Sequence, residues 1–225
     1  MRKTIGLCFL ALTLTAGTAS AQGVFLEKGQ PGISAAAGAA AIGNAWTASI
    51  VPSFTYRGVF DVGLEATRFQ FTGGDANHLW AIGLMPFATA YLSRAENGQL
   101  PISISATLGV QRRIFFGNGG APNPDGWGVL AGASFFRRLE FSNSFAAIPE
   151  VFAAYDMQAV TWHSATIDGK SGISEPGQLT KYDHKVRATF RANLAFKSGT
   201  TLYTIVPYVG FQGGLAVGMN VGAIF

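Results

Sequence analysis

Three histidines, His78, His163 and His184, are the side chains of this 225-residue sequence best suited to proton transfer near neutral pH. Two have suggestive neighbours: Ser164 follows His163 and Asp183 precedes His184, the residue types of a nucleophile, a base and an orienting acid. Successive residues of a strand point to opposite faces, so Asp183 is not placed to orient the His184 imidazole once a strand has begun. The expectation is therefore three solvated loop histidines at or beyond one rim of the fold, and no catalytic residue. No paired-His or acidic calcium-loop spacing occurs, and G-N-G-G-A-P-N-P-D-G at 117–126 has turn chemistry without the strand and helix that a phosphate loop needs. Neither a metal site nor a cofactor is expected.

A second set of charged residues lies on the polar side of segments that alternate apolar and small or polar residues. It comprises Asp61, Glu65, Glu150 and Asp156 with Lys185, Arg187 and Arg191, and near the segment ends Arg57 and Arg113. If those faces enclose a narrow interior, isolated charges there are costly, and a paired, hydrogen-bonded network is expected. Glu150 opposite Arg187 or Arg191 is the natural pair. Such a network either fills and rigidifies the interior or forms a selectivity constriction for water and small solutes.

Elements able to position these side chains follow from the alternation. Ala48, Ile50, Pro52, Phe54 and Tyr56 share one face, with Thr47, Ser49, Ser53 and Thr55 on the other and Val51 as the exception. Phe60, Val62 and Leu64 continue the pattern against Asp61, Gly63 and Glu65, and Arg57 and Gly58 between the two runs make a tight antiparallel turn. Ile102 to Gln111 and Lys185 to Phe196 repeat it. Strands are predicted at about 33–42, 46–57, 59–70, 78–92, 100–113, 127–137, 145–157, 184–197, 201–212 and 215–225. Several reach the roughly 9–11 residues that a tilted strand needs to cross a bilayer. The first, rich in Ala and Gly, is the weakest, and eight strands is the alternative to ten. Pro52, Pro86, Pro149 and Pro207 fall inside strands in similar settings, where each predicts a bulge or a ladder gap.

Composition excludes most other classes. Charged residues make up 12% of the chain, about half the usual share, so the outward faces of a soluble sandwich could not be supplied. Twenty-nine glycines disfavour a helical protein, and no apolar run is long enough for a membrane-spanning helix. Connections at 57–58, 93–99, 138–144 and 198–200 are generally shorter than those at 71–77, 114–126 and 158–183, as expected of turns at one membrane face and loops at the other. Trp46, Trp80 and Trp127 open strands on the loop side and Trp162 lies in a loop there; Tyr56, Phe60, Phe196 and Tyr203 flank turns, where interfacial aromatics belong. The loop at 158–183, long and rich in Ser, Gly, Thr and Asp, is a candidate for surface contacts.

Arg2 and Lys3 precede an apolar run ending in Ala19, Ser20 and Ala21, the pattern of a signal peptide over 1–21, with one domain at 22–225. Cys8, the sole cysteine, lies inside that run, so no thiol or disulfide is expected in the mature chain. Removing Arg2 and Lys3 from the 16 basic residues leaves an excess of two over the 12 acidic ones, too little to argue for nucleic acid.

The run I-V-P-S-F-T-Y-R-G-V-F-D-V-G-L at 50–64 resembles the strand-turn-strand unit of small bacterial outer-membrane β-barrel proteins. The ending M-N-V-G-A-I-F resembles their C-terminal insertion signal, with Phe225 as the terminal aromatic. The resemblance implies an all-β, antiparallel, up-and-down transmembrane barrel in the cell outer membrane. Its partners would be outer-membrane lipids and lipopolysaccharide and, during biogenesis, periplasmic chaperones and the barrel-assembly machinery. The expected role is non-enzymatic, either structural or a passive small-solute pore. The alternatives are a rim-located enzyme of the lipid A-modifying or protease type, and a loop-mediated adhesin or binding protein.

Overall fold

The computed structural model describes residues 22–72, 79–95, 101–117, 125–164, 177–211 and 214–225. A short 3-10 turn, Gln22–Phe25, precedes the strands β1 (Gly32–Ile42), β2 (Ala45–Tyr56), β3 (Phe60–Phe71), β4 (Trp80–Ser93), β5 (Ser103–Phe116) and β6 (Asp125–Phe136). There follow β7 (Leu139–Ser142), β8 (Phe145–Ser164), β9 (Gly177–Ser198), β10 (Thr201–Phe211) and β11 (Leu215–Ile224). Each pairs antiparallel with its neighbour, β1 pairs with β11, and β6 pairs with β8, so the described strands close into a ten-stranded barrel. The eight-strand alternative is excluded. β7 continues β6 along β8 in the same register as far as Glu140, after which the register shifts before Ser142.

Burial alternates with a period of two, as in β2, where Thr47, Ser49, Val51, Ser53 and Thr55 are buried and the residues between them face out. Apart from Ala45 at the start of the strand, Val51 is the one apolar member of an otherwise polar inner row. The turn after β2 places Arg57 at φ 50° and Gly58 at φ 59°, and the Val59 amide donates to the Tyr56 carbonyl at 3.0 Å. Two successive left-handed residues match the twist of the flanking strands, which fixes the hairpin register. Weak as a sequence signal, β1 is formed in full, and its small residues leave room for side chains of the strand paired with it: a Cβ at Gly38 would run into Asn220 of β11. Gly218 on β11 serves the same end: a Cβ there would run into the Tyr208 ring.

All four strand prolines face outward, and each coincides with a two-pair gap in one of its ladders while the register is kept. Pairing of β2 with β3 runs from Ile50↔Ala66 to Ser53↔Gly63, and that of β4 with β5 from Leu84↔Arg112 to Phe87↔Gly109. The β9–β10 ladder skips Val206 and Pro207, and the break between β6 and β7 lies opposite Pro149. A missing N–H removes a bond without adding a residue, so the expected disruption is a gap and not a bulge.

The eighth and ninth strands differ most from the expectation. Instead of ending near 157 and beginning near 184, β8 runs through Ser164 and β9 starts at Gly177, paired to their ends. Most of the presumed loop at 158–183 is a projecting hairpin. Its polar composition suits strands with water on both faces, where the apolar half of the alternation has no lipid to meet.

Candidate functional site in the lumen

The interior is filled in three layers. At the turn end, Val24, Phe25 and Leu26 of the N-terminal segment enter the mouth and pack with Tyr91, Phe136, Ile148, Val206 and Ile224. Charged and polar groups occupy the middle. At the loop end, Phe69, Phe71, Leu79, Phe115, Val160 and Tyr208 form an apolar layer.

Glu150 and Arg191 stand directly opposite each other on β8 and β9, which puts their side chains on the same inner face. The Arg191 guanidinium donates to Glu150 Oε1 at 3.0 Å, Asn193 Nδ2 donates to Oε2 at 3.0 Å, and the Ser134 hydroxyl also donates to Oε1. Both ionic side chains are 1% exposed. Arg191 also lies over the Phe152 ring, 4.8 Å from its centroid. Arg191, not Arg187, is therefore the partner of Glu150.

Arg187 pairs with Asp156 instead, three inward steps further up β8 from Glu150 and two further up β9 from Arg191. Gln158 donates its amide to that carboxylate and accepts from Arg113 Nη1 at 2.9 Å, and Arg113 also reaches Gln111. Glu65 accepts from the Thr67 hydroxyl at 2.7 Å in the same layer. These charges are deeply buried, and opposite charges in contact offset the desolvation that either alone would incur.

Three residues expected in one network belong elsewhere. Asp61 sits at the turn end, where its Oδ2 accepts from the Gly23 amide and the Tyr91 hydroxyl, each at 2.7 Å. Lys185 is cross-strand from Asp156 but pairs with Asp183 on its own strand at 2.9 Å, near the loop end. The diagonal Arg187 reaches Asp156 with a longer, forked side chain. Arg57 is in the β2–β3 turn, exposed, with its guanidinium 5.4 Å from the Tyr56 ring centroid.

The sequence reading missed the N-terminal segment and the groups that hold it. Arg94 donates to the carbonyls of Leu26 at 2.6 Å and Gly23 at 2.9 Å, and also to that of Gly58. Arg138 donates to the Phe25 carbonyl at 3.0 Å and is ion-paired with Glu140 at 3.0 Å. The Gly29 amide donates to the Arg57 carbonyl at 2.7 Å. Residues 22–31 carry no alternation, so nothing in them marked a plug; arginines just beyond strand ends near carbonyl-rich turns were the available signal.

Of the histidines, His184 is in β9 and not in a loop. It faces outward, with Nδ1 2.6 Å from the Tyr155 hydroxyl, while Asp183 points the other way to Lys185. The two are thus on opposite faces. His78 and residues 1–21 lie outside the described residues, as do the side chains of Trp162, His163 and Ser164.

The outer surface decides what kind of barrel this is. Ile50, Phe54, Leu64, Leu84, Leu108, Phe190, Val217 and Met219 all face outward and are exposed, forming a continuous apolar wall around the closed sheet. In water such a surface would drive association; against hydrocarbon it is the stable arrangement. The molecule is a closed β-barrel with the outer surface of a membrane-spanning one. Around the turn end stand Tyr56, Phe60, Phe196, Tyr203 and Phe225, with Phe145 stacked on Phe196 at 5.0 Å. Around the loop end stand Trp46, Trp127 and Trp80, the last stacked on Phe116 at 4.1 Å. Phe225 also closes the seam, exchanging backbone hydrogen bonds with Ile33 at 2.8 and 3.2 Å.

No family model and no curated protein matches the barrel's sequence. Among solved structures it is similar to the β domain of the Bordetella autotransporter BrkA, at 13% identity and a TM-score of 0.49, over 88% of this chain and 99% of that one. It is also similar to the transport unit of the autotransporter AIDA-I from Escherichia coli, at 12% identity and a TM-score of 0.42, over 96% and 95% of the two chains. The KdgM porin is a third likeness, at 9% identity and a TM-score of 0.37, over 85% and 98%.

Proposed function

We propose that the barrel is a sealed, non-enzymatic outer-membrane protein with a structural and surface-presenting role, and that it does not conduct solutes. The three stacked layers in its lumen carry this reading. A porin needs a continuous wet path, whereas here each level is occupied: the N-terminal segment below, ion pairs with Arg187 at 1% and Asn193 at 0% exposure in the middle, and phenylalanines above. The non-enzymatic part of the proposal is supported by His184, whose hydroxyl partner Tyr155 lies on the outer face with it and away from Asp183.

The β8–β9 hairpin is the presented element in this proposal. At 20 and 22 residues its strands exceed the roughly 9–11 needed to cross, and Tyr182 and Val186 on its outward face are 67% and 74% exposed. The test is single-channel conductance of the refolded mature protein in a planar bilayer, with a heat-shifted gel band showing that the barrel has formed. Silence from folded protein is expected. Discrete steps that change when Glu150 or Arg191 is neutralised would overturn the sealed reading and make that pair a filter.

A further inference from the structure

Asp61 is a buried carboxylate with an incomplete set of partners. Its exposure is 0%, and the Gly23 amide and Tyr91 hydroxyl that donate to Oδ2, each at 2.7 Å, are both neutral. Oδ1 accepts no hydrogen bond. Thr55 faces Asp61 across the β2–β3 ladder. Arg94 is nearby, but it donates to the carbonyls of Gly23, Leu26 and Gly58 and not to the carboxylate. Among the described residues no cation is ion-paired with Asp61, whereas Glu150 and Asp156, also buried, each have an arginine in contact. A buried carboxylate without a cation is costly.

The group that this carboxylate faces is the start of the N-terminal segment. A Cβ on Gly23 would lie 2.7 Å from Oδ1 and closer still to the Tyr91 ring, so only glycine lets the chain pass here. Both carboxylate oxygens therefore lie against residue 23, and the next nitrogen along the chain is that of Gln22. Gln22 opens the 3-10 turn Gln22–Phe25, in which the Leu26 amide donates to the Gly23 carbonyl at 3.1 Å. Successive nitrogens of such a turn stand about 2.8 Å apart, which puts the Gln22 nitrogen within about 5.5 Å of Oδ2. In the unprocessed chain that nitrogen is a neutral amide. Cleavage after Ala21, where the small-residue pattern Ala19, Ser20, Ala21 places the peptidase site, converts it to an α-ammonium.

We infer that the α-ammonium of Gln22, created by removal of the signal peptide, is the cation of Asp61, and that this ion pair seats the N-terminal segment in the barrel mouth. The uncleaved chain has no charge to place there, so processing completes the closure at the turn end. The pair also protects Gln22 from cyclisation to pyroglutamate. In that reaction the unprotonated α-nitrogen attacks the side-chain amide carbon, the new N–C bond closes a lactam, the bond to the amide nitrogen breaks, and that nitrogen leaves as ammonia with a proton from the amine. An ammonium held on a carboxylate has no lone pair for the attack. The inference rests on cleavage after Ala21 and is independent of whether the lumen is sealed.

The experiment exports the full chain in a Gram-negative host, extracts the barrel in mild detergent and measures its intact mass, which is expected to be that of a chain starting at Gln22. Tryptic release of residues 22–28, by cleavage after the exposed Lys28, is then timed for wild type and D61N. Each is refolded with its α-amine free or after cyclisation of the unfolded chain by glutaminyl cyclase. Cyclisation is expected to speed release from wild type about fivefold or more and to change D61N little, because the pair is already broken there. Folded wild type is also expected to lose ammonia from Gln22 about tenfold more slowly than folded D61N. Additive effects of cyclisation and D61N, no effect of cyclisation on wild type, or equal rates of ammonia loss overturn the inference. A first residue other than Gln22 overturns it too, while leaving the sealed-barrel reading untouched. A heat-shifted band is required of each protein, and D61S takes the place of D61N if the latter does not give one.

Discussion

The two ends of the lumen are closed by different means. At the loop end the barrel's own side chains meet across the interior: Phe69, Phe71 and Phe115 come from strands already fixed by their ladders. At the turn end the closure is a separate segment, residues 22–30, tied in by Asp61, Arg94 and Arg138 through its backbone. Side chains on strands cannot leave without unfolding the sheet. A segment held by a few hydrogen bonds and three apolar residues can, at the cost of those contacts alone. The loop end is part of the fold, and the turn end is an addition to it.

The largest expected effect lies between the two, in the ion-paired layer that they enclose. Glu150→Leu strands Arg191 in the interior and should lower unfolding free energy by about 3–5 kcal/mol, measured by urea titration of tryptophan fluorescence in vesicles. The double replacement E150L/R191L should recover most of that loss, because no unpaired charge remains; strict additivity would show that the pair is not coupled. Asp61→Ala takes the acceptor from Gly23 and Tyr91 and should cost about 1–3 kcal/mol. Limited proteolysis should then clip the N-terminal segment while the heat-shifted band persists. Loss of the band together with the segment would make the two closures one unit and break the comparison.

Gly58→Val should cost about 1–2 kcal/mol, since the turn needs a left-handed residue at φ 59° and a Cβ there would run into the Glu27 carbonyl oxygen. Its effect should fall on the segment and on the β2–β3 turn together. The smallest effect is expected from deleting residues 22–30: the refolded barrel should remain silent in a planar bilayer, because the upper two layers still close the lumen. Discrete conductance steps in that variant would show that the segment alone makes the seal.

Legibility in the sequence followed the surroundings of each strand. Where lipid lies on one side and a polar interior on the other, alternation is strict, and β2, β3, β5 and β10 begin and end within about three residues of the reading made from the residues alone. The hairpin of β8 and β9 broke the rule beyond Val160, because above the bilayer both faces are wet and Thr161, Thr180 and Lys181 carry no inside-out signal. Site chemistry was legible in part. Period two placed Glu150, Arg187 and Arg191 inside, yet it could not choose Arg191 over Arg187 as partner, a matter of cross-strand register that only the ladders reveal. The N-terminal segment was silent because its fold depends on groups from β3, β4 and the β6–β7 turn, far away in sequence.

The seam between β1 and β11 has a kinetic side. It joins Ser34 to Ile224, the two ends of the chain, whereas every other barrel ladder joins strands that follow one another directly or, for β6 and β8, across the short β7. Closing so long a loop carries the greatest entropic cost of any pairing in the molecule, and nearest-neighbour hairpins form sooner. The nascent sheet therefore curls with its two edge strands open, and the last step in assembly is a zipper. Leu26 lies against Gly32 and Ile224 at the foot of that zipper, so the segment that stoppers the mouth also clasps the seam once it has shut.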